Sequence, residues 1–241
     1  MSPPLSDWTW FEYNFPWLGL GLAVPVLVLL FFSNRLQANK EISRWKDYSW
    51  LSWLGMVAYL IHNVDEYGID VLGNVHEFPR QATAMLQELA PEGKVPDGLF
   101  YTMVNVSAFW VAAPLASLIS RRYPLSGLMI YGIIAVNALM HLRAALTGAG
   151  LGGGNFTAVF LFLPLSAWTL YQCFRSGRLP RKGLVILLAG GVLVHGILAL
   201  SFFLYLSGKI NYTQAVCILG LNPFLLLALL NLGERKMIQH Q

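Results

Sequence analysis

The sequence predicts an all-α polytopic membrane protein of seven transmembrane helices, with the N-terminus outside and the C-terminus cytoplasmic. Three observations carry that reading. The first is composition: of 241 residues, 56% are hydrophobic and 12% charged, about half the charged share of a soluble domain. A soluble domain of this length could not hide that much apolar surface. Composition therefore excludes a soluble enzyme, a disordered chain, and a collagen-like or disulfide-stapled module. The second observation is seven runs, free or nearly free of charge, each long enough to cross a bilayer. The third is the way Lys and Arg alternate between the connections.

The runs fall near 17–33, 49–72, 99–120, 125–146, 155–174, 184–208 and 213–232, and together they make one domain over 1–241. Before the first lie Trp8, Trp10, Phe11, Tyr13, Phe15 and Trp17, which read as an aromatic belt at the outer interface. The second run is the least apolar, interrupted by His62, Asp65 and Glu66. The 74–98 connection is the only long one. Pro79 can open a helix there, with Ala82, Met85, Leu86 and Leu89 at i, i+3, i+4 and i+7. That spacing predicts an extracytoplasmic interfacial helix or, more sharply, a lid over an outward-facing cavity. Pro25, Pro114, Pro164 and Pro223 lie within runs and are expected to kink them. The Gly-rich stretch 148–154 has neither the following Lys-Ser/Thr nor the flanking strand of a phosphate loop, and reads as a flexible turn. Asn155 and Asn211 head glycosylation-type triplets, too close to the membrane surface to serve as acceptors.

Counting cations across seven spans puts twelve Lys and Arg in one set of alternate compartments and four (Arg80, Lys94, Arg143 and Lys209) in the other. The positive-inside rule then orients the chain and makes it integral to the cell membrane. The formal charge of +4 sits in these short connections. The expected partner is thus the lipid bilayer and not nucleic acid. No Lys or Arg precedes Arg35, so no secretory signal peptide is expected. Cys173 and Cys217 fall in different spans and are not expected to pair.

Ionisable groups within a membrane are costly and mark function. His62, Asp65 and Glu66 share one helical face at about 100° per residue. Asn137 and His141 share another at i and i+4, and His195 interrupts the sixth run. Spans two, four and six cross in the same direction. At about 1.5 Å per residue these groups reach depths of roughly 17–26 Å from the inner surface. They fall in one slab from the bilayer centre into its outer half, which points to one site. Asp70 reads as interfacial, and His76 and His240 as solvated.

His62-x-x-Asp65-Glu66, followed by Asn137-x-x-x-His141 and the later His195, resembles the HXXEE-domain membrane protein family. Asp65 stands where that pattern carries Glu, which makes Glu66 the firmer correspondence. The resemblance implies an architecture and a site, not a reaction.

Two chemistries fit the cluster. In the first, His62, Glu66, His141 and His195 ligate a divalent ion, Zn or Fe. Asp65 or Asn137 then acts as orienter or general base, and an acidified water attacks a small lipophilic substrate. In the second, Glu66 and His62 move protons on an isoprenoid or sterol-like molecule without a metal. That alternative is similar, at two residues, to the emopamil-binding sterol isomerase family. Intramembrane acids and histidines also build the relays of proton- or ion-coupled carriers. A receptor fits poorly: Ser120-Arg121-Arg122-Tyr123 has no acid before its Arg. The seventh run also lacks the Lys a retinal protein needs.

Overall fold

A computed structural model describes residues 5, 7–89, 96–175 and 178–239. Lys94 and His240, read above as loop and solvated groups, lie outside the described residues. Among the described residues every regular element is helical, apart from a single isolated bridge between Ile69 and Val75.

Helix α1 spans Trp10–Phe32. Its start is fixed by a reciprocal cap: Thr9 accepts from the Glu12 backbone, and Glu12 accepts from the Thr9 N–H at 2.6 Å, satisfying two otherwise unpaired donors. The aromatic belt therefore lies largely within the helix rather than ahead of it. Its far end is held by Arg44, which donates to the Leu30 carbonyl at 2.7 Å, and by the Trp50 indole, which donates to the same oxygen at 2.9 Å.

Helix α2 is Tyr48–Tyr67, capped by Asp47, which accepts from the Trp50 N–H at 2.9 Å. It ends five residues before the sequence-based boundary, at Gly68, where a Cβ would lie 2.7 Å from the Val64 carbonyl. Fifteen of its 20 residues are buried. It packs against α1 and the later helices, which explains its low hydropathy: a helix enclosed by protein does not need an apolar surface toward lipid.

Helix α3, Glu77–Leu89, begins two residues before Pro79. Helices α4 (Gly98–Ile119), α5 (Pro124–Ala149), α6 (Asn155–Arg175), α7 (Arg181–Leu206) and α8 (Tyr212–Met237) follow. With α1 they make, among the described residues, six helices long and apolar enough to cross a membrane. The protein is therefore a helical membrane protein by length and composition. α2, the expected second span, is not among the six, because its polar residues lower its hydropathy.

Two long helices accommodate prolines by widening. Val106–Ala112 in α4 and Ala158–Phe162 in α6 are π-helical, and each stops two residues before a proline, Pro114 and Pro164. Proline has no N–H to donate and its ring crowds the preceding turn. A π stretch absorbs both defects and rotates the helix ahead of it. In α6 that leading segment carries Asn155 and Thr157.

The ends of the bundle are pinned by polar contacts. Glu234 of α8, buried, accepts from the Leu125 and Ser126 N–H groups at 2.9 Å each and from the Ser126 hydroxyl at 2.8 Å. A carboxylate there satisfies the open donors at the α5 N-terminus and faces its positive dipole. Arg121 donates to the Arg35 carbonyl, and Arg178 to that of Lys46, both at 2.6 Å. The basic connections thus meet at one end of the bundle. α5 and α7 approach at Gly132 and Gly191, where a Cβ on Gly191 would run into the Gly132 carbonyl, the close crossing that small residues permit.

Candidate functional site

At the end opposite the basic connections, α2, α5 and α6 bring their polar groups together. Glu66 stands between two imidazoles. Its Oε2 lies 3.4 Å from His62 Nε2, and its Oε1 lies 3.3 Å from His141 Nε2. One ligand-type atom from each of the three residues lies within 4.8 Å of the others, and all three residues are buried. Periodicity on α2 aligned His62 with Glu66, and the expected convergence of the second and fourth spans supplies His141.

Each imidazole is fixed from behind. His62 Nδ1 lies 2.8 Å from the Thr157 hydroxyl, and that hydroxyl lies 2.8 Å from Asp65 Oδ2. The same Asp65 oxygen accepts the Thr157 N–H at 2.9 Å. An ionised carboxylate only accepts, so the threonine proton goes to Asp65 and His62 Nδ1 must be the donor to Thr157. His141 Nδ1 lies 2.8 Å from Asn155 Oδ1, while the Asn155 amide nitrogen donates to the Gly150 carbonyl at 2.9 Å. His141 Nδ1 is therefore also the donor. In the neutral tautomer both histidines then turn a bare Nε2 lone pair toward Glu66.

The Gly-rich stretch forms the expected turn and is also part of this construction. Gly148, Gly150, Gly153 and Gly154 all have positive φ, a conformation glycine adopts without steric cost. At Gly154 the backbone also passes so close that a Cβ would sit 3.0 Å from both Glu66 Cβ and His62 Cε1. Asp70 anchors the stretch from outside by accepting the Gly153 N–H at 3.1 Å, and it also accepts from Leu72 and Asn74. Burial alone would raise its pKa, but these hydrogen bonds outweigh it and hold the carboxyl below its ordinary value.

Asn137 and His195 occupy a different place. The Asn137 amide nitrogen is 3.5 Å from the Tyr59 hydroxyl. His195 Nδ1 lies 2.8 Å from the Gly191 carbonyl one turn back on its own helix. Both line a cavity of about 430 Å³ that also reaches Glu66, His141 and Asn155. His195 is outside the three-residue group that could hold an ion. Asp65 contacts the site through Thr157.

Sequence reasoning missed Thr157, Asn155 and Gly154. The Asn-Phe-Thr triplet was set aside as a poor glycan acceptor, yet its two polar side chains orient the histidines. The available signal was its position, directly after a glycine run at the start of a span. His76, expected in solvent, is 8% exposed. Its Nδ1 bonds the Tyr67 carbonyl, and the rings of Trp8 and Tyr13 pack on it. Burial lowers its pKa.

The family described as "Protein of unknown function with HXXEE motif" matches residues 53–169, a segment that holds every residue of the cluster and of its supporting shell. No curated protein and no solved structure matches the chain.

Proposed function

With residues 53–169 belonging to the HXXEE family, we propose that the protein is an integral membrane enzyme whose His62, Glu66 and His141 hold a catalytic divalent metal, Zn or Fe. The observation that carries this is one carboxylate flanked by two imidazole Nε2 atoms. With both rings neutral, two lone pairs and an anion repel one another unless a cation lies among them. Their separations, 3.3 and 3.4 Å, are longer than charge-assisted hydrogen bonds, about 2.7–2.9 Å. They run to different oxygens of the carboxylate, and one donor atom from each of the three residues lies within 4.8 Å of the others, close enough for one ion to engage all three. The donor set fits as well. Two imidazoles and a carboxylate, each imidazole donating its other N–H to an oxygen, is the usual arrangement of catalytic zinc and non-haem iron.

A bound ion of this kind supplies a Lewis acid and an acidified water. The protein's own groups do the rest. Thr157 and Asp65 hold the His62 ring, and Asn155 holds that of His141. The cavity leaves one side of the cluster open to a substrate. Asn137 and His195 on its wall are placed to orient the reacting group.

The reading extends to topology. α2 is the seventh span, shielded from lipid by its neighbours, with the N-terminus outside and the C-terminus cytoplasmic. The site then lies in the outer half of the cell membrane, and α3 lies across its mouth. The direct test is elemental analysis of the intact protein purified without chelator, beside His141→Ala. The proposal expects about one Zn or Fe per chain, lost in the variant. Metal-free wild-type protein would overturn it in favour of acid–base chemistry by Glu66 and His62.

A further inference from the structure

A second chamber, of about 620 Å³, opens off the polar one. The two share Tyr67, Phe78, Met140 and His195 among their walls, so His195 stands at the junction. The outer chamber lies between α3, α4 and α7. Among the described residues, none of its lining is Asp, Glu, Lys or Arg, and Met85, Leu86, Leu198 and Phe202 are typical of its wall. It is open rather than sealed, since Met85 and Phe203 on its lining are each 59% exposed. The inner chamber carries Glu66, His141 and several amides and, among the described residues, again no Lys or Arg.

From these two chambers we infer the substrate class: a neutral single-chain lipid. Its hydrocarbon tail lies in the outer chamber, and its compact uncharged head (an alcohol, aldehyde, ester or amide) reaches past His195 to Glu66 and His141. This deepens the function proposed above and rests on it for the identity of the reacting end. Three features select this class. A wall with no described Asp, Glu, Lys or Arg favours a hydrocarbon tail, because burying a charge there would be uncompensated. Beside the proposed ion, an inner chamber lined by no described Lys or Arg lacks the side chains that normally pair a phosphate, diphosphate or free carboxylate head, which favours an uncharged one. A volume of about 620 Å³ falls within the roughly 300–1,000 Å³ of pockets that enclose one drug-sized ligand, so it takes one chain rather than two.

The inference is tested on the full protein in lipid nanodiscs with a diazirine-bearing hexadecanol as photoprobe. Labelling is mapped by peptide mass spectrometry, with unlabelled hexadecanol, palmitate and hexadecyl phosphate as competitors. Labels should fall on α3 and α7. Hexadecanol should compete at least about tenfold better than either anion. Ala199→Phe and Ala82→Phe narrow the outer chamber from two different helices, and each should reduce labelling by about tenfold or more, with metal content unchanged. His141→Ala should lose metal yet keep its tail labelling, which separates failure of the metal site from failure of this inference. Equal competition by palmitate or hexadecyl phosphate would overturn the assignment. So would undiminished labelling in both narrowed variants, provided they elute as monodisperse protein.

Discussion

Replacing Thr157 with valine tests the most specific feature of the site. The change keeps the side-chain shape and removes one hydroxyl. That hydroxyl makes two 2.8 Å contacts, accepting from His62 Nδ1 and donating to Asp65. His62 is fully buried, so its Nδ1–H would be left without an acceptor, a loss of roughly 1–3 kcal/mol. Asp65 would keep only the Thr157 N–H, at 2.9 Å, on its inner oxygen. The ring would then be free to turn or to change tautomer. Loss of such an orienting partner typically weakens metal binding 10–100-fold, or about 1.4–2.8 kcal/mol. The assay is competition for Zn²⁺ between the metal-stripped protein and a chromophoric chelator. Thr157→Val should fall in that range, and Thr157→Ser should recover most of the affinity. Wild-type affinity in Thr157→Val would refute the claim that this hydroxyl fixes the ligand.

Other outcomes follow from the same coordinates. Gly154→Ala places a Cβ at a φ of +87° and 3.0 Å from His62 and Glu66. The left-handed conformation alone costs about 1–2 kcal/mol, so both thermal stability and metal content should fall. Glu234→Ala leaves two buried N–H groups at the α5 start unpaired and should lower the thermal midpoint by an amount equivalent to roughly 1–3 kcal/mol, with metal binding retained. Asp70 titrates below its ordinary value of 3.8 in the folded protein, so its contribution is fully present above that pH and is lost as the pH falls through its lowered value. Hydrogen-exchange protection of the Gly153 amide should therefore weaken in acid in the wild type and be weak at every pH in Asp70→Asn.

Much of this was legible in the sequence, and the rest was hidden for identifiable reasons. The apolar runs located α4–α8, and the far end of α1, to within about five residues, because hydropathy and length are local properties. They placed the start of α1 too late, since Trp10 to Phe15 read as an interfacial belt while the deciding signal was the Thr9–Glu12 cap. They also overran the end of α2 beyond Gly68. The i, i+4 spacing of His62 and Glu66 was visible, and the cost of burying an acid gave a physical reason to single it out. The alignment of His141 with them rested on helical rise alone, and it holds. Thr157 and Asn155 were not recovered, because their role is set by partners on other helices, His62 and Asp65 for the one and His141 for the other. His76 was misjudged for a similar reason: its burial is built by Trp8 and Tyr13, far away in the chain.

The metal-edge X-ray absorption of the protein, purified with its native metal or loaded with Zn²⁺, bears most directly on whether His62, Glu66 and His141 share one ion. The account predicts two imidazole nitrogens and a carboxylate oxygen at about 2.0–2.2 Å, with the imidazole signal lost in His141→Ala. An ion surrounded by oxygen alone, with no imidazole scattering, would contradict it.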